Sequence, residues 1–107
     1  MIHHVNDSQE FNKILDDNHV IVVDFFATWC GPCRMLAPVL EEIDQEGAFG
    51  CDIMKVDVDE VEDVASRYGI SSIPTIIIFK DGEPVNVMVG FRGKPQLIDA
   101  VKKVLNS

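Results

Sequence analysis

Residues 20–33 decide the fold, and they consist of Val-Ile-Val-Val-Asp-Phe-Phe-Ala-Thr-Trp-Cys-Gly-Pro-Cys. Apart from Asp24, the first seven residues are apolar at both alternating sets of positions. That pattern is typical of a strand that is buried on both faces of a sheet. Residues 27–29 form a short loop, and helical spacing begins at about Cys33. The stretch therefore predicts a central strand that leads directly into a helix with two cysteines at its start.

The rest of the chain alternates helices with strands. Apolar spacing and capping residues predict a first helix from Asp7, a helix over 61–68 closed by Gly69, and a last helix from Lys94. Strands are predicted at 52–58 and 75–79, and Asp81-Gly82 predicts a hairpin that returns over 84–89. The expected order is helix, strand, helix, strand, helix, hairpin, helix. This order predicts an α/β fold whose central mixed sheet is flanked by helices on both faces.

Length, charge and cysteine count exclude several classes of protein. The 107 residues contain no linker or repeat, so we expect one domain over residues 1–107. A net charge of −9 argues against nucleic acid and anionic membranes as partners. No segment is long and apolar enough to span a membrane, and residues 1–7 do not resemble a secretory signal. Three cysteines fit an intracellular protein with one functional pair. We expect a cytoplasmic location, with an organelle matrix after leader removal as the alternative.

Cys30 and Cys33 have the spacing of a redox pair. Positions i and i+3 of a helix lie about 5–6 Å apart. That distance falls within the Cα–Cα window of about 4.4–6.8 Å for a disulfide. Half of a zinc site is the alternative, but zinc needs four ligands. No second Cys-x-x-Cys or paired histidine motif exists here, so no bound metal is expected.

Trp29-Cys30-Gly31-Pro32-Cys33, after a buried strand and at a helix start, resembles the active site of the thioredoxin family. The resemblance covers essentially the whole chain, and its other motifs are Asp24-Phe25, Pro38, Ile73-Pro74-Thr75, Lys80-Asp81-Gly82 and Gly90. It implies the thioredoxin fold and a general protein-disulfide reductase that acts as an electron carrier. It also implies that disulfide-containing client proteins and a separate thioredoxin reductase, which draws on NADPH, are the partners. No cofactor is expected on this chain, which lacks a Gly-rich nucleotide motif, and a monomer is expected.

Thiolate chemistry gives the two cysteines different roles. Only the thiolate attacks a disulfide, and a free cysteine with a pKa of about 8.5 is only about 3% ionised at pH 7. A helix N-terminus and its free N–H groups stabilise a thiolate placed there. We therefore expect Cys30 to be the exposed nucleophile and Cys33, one turn further and more buried, to be the resolving thiol. Gly31 and Pro32 form the spacer, and Pro32 stiffens it.

Asp24 and Lys55 are the candidate proton-transfer residues. From its strand position alone, Asp24 would face solvent or a donor at the strand end, and Lys55 would be an ordinary strand lysine. The resemblance implies instead that Asp24 is buried near Cys33, where desolvation raises its pKa and it accepts the Cys33 proton. It also implies that Lys55 lies beside Asp24.

The Ile73-Pro74 bond is the centre of the predicted docking surface. Sequence alone favours a trans bond, since only about 5–6% of X-Pro bonds are cis. The resemblance implies a cis bond, and it implies that the Ile73 backbone pairs with an extended client segment. The expected apolar surface around Cys30 comprises Trp29, Gly31, Pro32, Ile73, Pro74, Gly90 and Phe91. Taken alone, Trp29 would be expected in the core.

Three points stay open at this stage. A dithiol oxidase or isomerase would use the same atoms with the opposite redox poise, although the resemblance favours reduction because Gly-Pro separates the cysteines. A binding module would use the surface without redox chemistry. Cys51 lies outside the motif, and we expect a passive thiol there, with a regulatory or intermolecular disulfide as the alternative.

Overall fold

A five-stranded mixed sheet forms the centre of the molecule. The computed structural model describes residues 1–107, and the strands lie in the order β1-β3-β2-β4-β5. The elements in chain order are β1 (Ile2–Val5), α1 (Ser8–Asp16), β2 (Val20–Phe26), α2 (Gly31–Glu46), β3 (Asp52–Asp57), α3 (Glu62–Arg67), β4 (Thr75–Lys80), β5 (Glu83–Val89) and α4 (Lys94–Leu105). Strands β1, β3 and β2 are parallel, whereas β4 runs antiparallel to both β2 and β5. The predicted mixed sheet is confirmed.

Helices cover both faces of the sheet, as predicted. Phe11 of α1 and Val64 of α3 pack in one apolar cluster, against side chains of β2, β3 and β4 such as Val23. Leu40 of α2 and Val101 of α4 pack in a second cluster on the opposite face, together with side chains of β2. Successive strand residues point to opposite faces, so the apolar positions of β2 supply both clusters at once. This explains why β2 is the central strand.

The sequence-based order of elements was wrong at the N-terminus, where it omitted β1. Residues 2–5 are Ile-His-His-Val, a short segment whose two central histidines hide the strand pattern. The segment is a strand because it pairs in parallel with β3, in register from Ile2 with Ile53 to Val5 with Val56. Pairing with a strand about fifty residues away is a tertiary interaction, and the local sequence carries little sign of it.

The predicted ends of the other elements are close to those observed. The Asp7 side chain accepts a hydrogen bond from the Glu10 N–H at 2.8 Å and begins α1. The helix predicted over 61–68 has its regular part at Glu62–Arg67, and Gly69 follows it with φ +64°. Asp81 and Gly82 both have positive φ and form the two-residue hairpin turn. No helix is both long and apolar enough to cross a membrane.

Candidate active site

The cysteine pair lies where β2 passes into α2. A loop of three residues follows Phe26, and Cys30 is the N-cap of α2. Cys30 and Cys33 form a disulfide with their Cα atoms 5.2 Å apart. The backbone N–H of Cys33 donates a hydrogen bond to the Cys30 Sγ atom at 3.3 Å. This N–H is one of the first-turn donors that have no partner within a helix, so the helix start directs a positive dipole at the Cys30 sulfur.

Burial does not distinguish the two cysteine residues. Cys30 is 5% exposed and Cys33 is 3% exposed. The expectation of an exposed Cys30 was therefore wrong for this disulfide form. The cause is packing: both cysteines lie in a small cluster with Ala27, against which the Ile73 side chain packs. The Cys30 Sγ atom is 3.8 Å from the carbonyl oxygen of Ile73.

Asp24 is completely buried in the middle of β2. It lies opposite Lys55 of β3 and Ile76 of β4 in the sheet. Because it alternates in phase with Val22, its side chain points to the sheet face that α2 covers. Neither carboxyl oxygen has a hydrogen-bond partner. Burial raises the pKa of Asp24 to about 6, and the positive charge of Lys55 opposes this rise.

Lys55 connects Asp24 with the cavity beside Cys33. Its Nζ atom lies 3.9 Å from Asp24 Oδ2 and 4.6 Å from the centre of the Phe26 ring. The 3.9 Å distance places Lys55 beside Asp24, and the Lys55 side chain is only 13% exposed. Lys55 and Cys33 line the same open cavity of about 230 Å³, together with Arg34. The sheet thus brings a carboxylate, an ammonium group and the second cysteine into one region behind the disulfide.

The Ile73–Pro74 peptide bond is cis, as the resemblance implied. The Gly90 N–H donates to the Pro74 carbonyl oxygen at 2.8 Å, and this bond joins the end of β5 to the start of β4. Gly90 has φ +90°, a conformation that side chains with a Cβ atom rarely adopt. Pro74 itself is buried, so its expected place in the exposed surface was wrong. It leads into the buried strand β4.

Trp29 lies on the surface, and Asp59 holds it there. The Trp29 side chain is 67% exposed, and its Nε1–H donates to Asp59 Oδ2 at 2.8 Å. Sequence reasoning missed Asp59. Its position near Trp29 could have been predicted, because β2 and β3 are parallel neighbours and the segments that follow two such strands meet at one edge of the sheet. Phe91, beside Gly90, is 40% exposed. Trp29 and Phe91 are thus exposed apolar side chains.

Cys51 does not belong to this site. It is a free, half-buried thiol directly before β3. Burial raises the pKa of the Cys51 thiol to about 11, and the negative charge of Asp52 adds to the effect. No group of three or more His, Cys, Asp or Glu side chains is arranged to hold a metal ion.

A cysteine pair whose Cα atoms are 5.2 Å apart can open and close with little movement of the backbone. Each cycle transfers two electrons, so the fold and this site define a dithiol–disulfide oxidoreductase. The family model for thioredoxin matches residues 2–103. A thioredoxin of Staphylococcus epidermidis is 50% identical over 101 residues, which are 94% of this chain and 95% of that protein.

A second relative and a solved structure are also thioredoxins. A thioredoxin of Bacillus subtilis is 52% identical over 86 residues, covering 80% of this chain and 83% of that protein. The solved structure of a mutant thioredoxin from Halobacterium salinarum has a TM-score of 0.88 at 37% identity and covers 95% of this chain and 88% of that one. The chain belongs to the thioredoxin family. It is a protein-disulfide reductase and electron carrier that uses the Cys30–Cys33 pair, and partners of this family are in general a reductase and disulfide-containing clients.

Proposed function

We propose that Cys30 is the attacking thiolate and Cys33 the resolving thiol in the reduction of client disulfides. One observation carries the assignment: Cys30 is the N-cap of α2, and its sulfur accepts the Cys33 N–H at 3.3 Å. A hydrogen bond to a sulfur atom and a positive helix end both favour its anionic form. Cys33 lies inside the first turn and does not benefit in the same way. Gly31 and Pro32 hold the two residues at this spacing.

The exchange proceeds in two balanced steps. Cys30 thiolate attacks one sulfur of the client disulfide, and the other client sulfur leaves as a thiolate that takes up a proton. Cys33 then loses its proton and attacks the Cys30 sulfur, and the first client sulfur leaves with the electron pair as a thiolate that takes up the second proton. The client gains two electrons and two protons overall, and the Cys30–Cys33 disulfide is formed.

Asp24 is the proposed acceptor of the Cys33 proton. With a pKa raised to about 6, Asp24 is about nine-tenths ionised at pH 7 and is a stronger base than an ordinary aspartate. Its position on the α2 face of β2 supports this role. Lys55 is the proposed positioning partner, since its ammonium group is 3.9 Å from Asp24 and lines the cavity that Cys33 also lines. That open cavity gives the proton a route to solvent after resolution.

Clients are proposed to dock as an extended segment along Ile73 and Pro74. The Ile73 carbonyl oxygen lies 3.8 Å from the Cys30 sulfur, so a strand paired with this backbone would bring its disulfide to Cys30. Trp29 and Phe91 supply exposed apolar contact area. Gly90 allows the close backbone contact with Pro74 that shapes the surface.

The remaining parts of the proposal concern the electron donor, the oligomeric state and the cellular location. Each turnover oxidises the cysteine pair, so a reductant must restore it. We infer that this is a separate thioredoxin reductase that draws on NADPH. We further infer that the protein is a monomer with one domain over residues 1–107 and that it works in the cytoplasm. Its clients are proteins with accessible disulfides.

Single cysteine variants test the assignment of roles. Wild type, Cys30→Ser, Cys33→Ser and the control Cys51→Ser are each incubated with insulin and a reductant, and disulfide cleavage is followed. Wild type and Cys51→Ser should turn over equally, and neither active-site variant should. Mass spectrometry should detect a trapped mixed disulfide with the client only for Cys33→Ser, because that variant can attack but cannot resolve. Trapping by Cys30→Ser instead would reverse the two roles.

A further inference from the structure

Arg92 covers the Gly90 end of the docking surface. Its Nη1 atom donates to the carbonyl oxygens of Val89 at 2.9 Å and Phe91 at 3.2 Å. A Cβ atom built on Gly90 would lie 3.7 Å from the same nitrogen. The guanidinium group is therefore held over Gly90 by the backbone on both sides of that glycine.

A short chain of contacts joins Arg92 to the reacting sulfur. Gly90 donates its N–H to Pro74, and the carbonyl oxygen of the preceding Ile73 lies 3.8 Å from the Cys30 Sγ atom. A client segment that follows the Ile73–Pro74 backbone away from Cys30 therefore reaches Arg92.

Arg92 has no carboxylate partner, although the chain has eighteen acidic and nine basic side chains. Lys94, two residues further, shows the contrast, because Glu42 and Glu46 each lie 2.7 Å from its Nζ atom. Both hydrogen bonds of Arg92 come from Nη1. An arginine side chain has five N–H donors, so the Nε and Nη2 donors stay available. Those two nitrogens are the edge that binds a carboxylate through two parallel hydrogen bonds.

A negative charge, the carboxylate of Asp59, lies beside Trp29. Asp59 accepts the Trp29 Nε1–H through Oδ2, and this carboxylate is exposed. Asp59 contacts Trp29, the residue before Cys30. Arg92 instead lies over Gly90, which donates to Pro74, the residue after Ile73. The docking surface thus has an anion beside Trp29 and an unpaired cation beside Gly90.

We propose that Arg92 determines client specificity by binding a carboxylate of the docked segment. This inference rests on the proposed docking of clients along Ile73 and Pro74. The favoured client carries Asp or Glu on the side of its cysteine that faces Gly90, and a neutral or basic residue on the side that faces Trp29. Charge order along the client, rather than its net charge, sets the preference.

Two peptides of identical composition test this proposal. Each has a central cysteine in a mixed disulfide with 2-mercaptoethanol. One has Glu two residues before the cysteine and Lys two residues after it, and the other has the reverse order. Residues two apart in a strand point to the same face, so both charges face the protein. The two peptides have the same net charge, and the overall charge of −9 affects them equally.

Wild type should reduce one peptide with a kcat/KM about two- to five-fold above that of the other, which is the range for a partly exposed ion pair. Arg92→Glu should bring the ratio close to one, because both ends of the surface are then acidic. Lys102→Glu is the matched control: it makes the same change of net charge at an exposed, unpaired lysine of α4, and it should keep the wild-type ratio. A salt concentration of about 1 M should also bring the wild-type ratio towards one.

Equal rates with the two peptides in wild type would overturn the assignment, as would an unchanged ratio in Arg92→Glu. Reduction of neutral 2-hydroxyethyl disulfide separates this failure from a failure of the proposed function. If wild type reduces the neutral compound but does not distinguish the peptides, only the role of Arg92 is wrong. If it reduces none of the three, the inference and the proposed function both fail.

Discussion

Replacing Asp24 by Asn should stabilise the protein at neutral pH, and the gain should disappear in acid. The Asp24 carboxyl is fully buried and accepts no hydrogen bond. Its pKa is raised from 3.8 to about 6 in the folded protein. Each pKa unit corresponds to about 1.4 kcal/mol, so the ionised carboxylate destabilises the fold by about 3 kcal/mol relative to the neutral acid. Asn has nearly the shape of that neutral acid and cannot ionise.

Proton binding determines the direction in which the stability changes with pH. Between pH 3.8 and about 6 the folded state holds the Asp24 proton more tightly than the unfolded state does. The stability of wild type therefore falls as the pH rises through this window, and the full cost applies above it. Asp24→Asn should lack this fall. The expected difference in the free energy of unfolding is about 3 kcal/mol at pH 7 and close to zero at pH 3.5.

Urea denaturation of the oxidised protein at a series of pH values measures this difference. Asp16→Asn is the control, since Asp16 is exposed at the end of α1 and forms no ion pair. That substitution should change stability by no more than about 0.5 kcal/mol and without the same pH profile. An Asp24→Asn protein that is less stable than wild type at pH 7 would refute the reasoning. A gain that persists unchanged at pH 3.5 would refute its electrostatic cause.

Three further predictions concern Gly90, Cys51 and the cysteine pair. Gly90→Ala should lower the free energy of unfolding by about 1–2 kcal/mol, because φ is +90° at Gly90 while the nearest atom is an ordinary 3.7 Å from the new Cβ. The control Gly31→Ala should not destabilise the protein, because Gly31 has open space around it and no positive φ. Equal effects of the two substitutions would argue against backbone strain at Gly90. The rate of alkylation of Cys51 in the oxidised protein should rise about tenfold per pH unit from pH 7 to 10. Only the thiolate reacts, and the pKa of Cys51 is raised to about 11. A rate that reaches a plateau near pH 9 would contradict the raised pKa. The reduction potential of the Cys30–Cys33 pair should be about −270 mV, the value typical of thioredoxins. A value of about −180 mV or higher would instead favour the oxidase or isomerase alternative.

Local patterns in the sequence were sufficient for most of the fold. Eight of the nine elements were predicted. Helical and alternating apolar spacing predicted α1 to α4 and β2 to β4, which bury apolar side chains, and the Asp81-Gly82 turn predicted β5. The missing element, β1, has histidines at two of its four positions and depends on pairing with β3. Its stability comes from a partner distant in the chain, so its own composition gives little indication.

The site was predictable where chemistry depends on spacing along the chain. Two cysteines three residues apart at a helix start are sufficient to predict a closable pair, and the structure has its Cα atoms at 5.2 Å. The N-cap hydrogen bond from Cys33 to Cys30 follows from the same local geometry, since a helix start leaves its first N–H groups without partners.

Tertiary structure alone decided the environment of that pair. Asp24 is buried because β2 is covered on both faces, and Lys55 lies beside it because β3 pairs in parallel with β2. Asp59 reaches Trp29, and Arg92 lies over Gly90, only after distant segments meet. Spacing along one helix is set by bond geometry and can be read from adjacent residues. Burial, pKa and charge around the sulfurs depend on which strands become neighbours, and only the folded chain determines that.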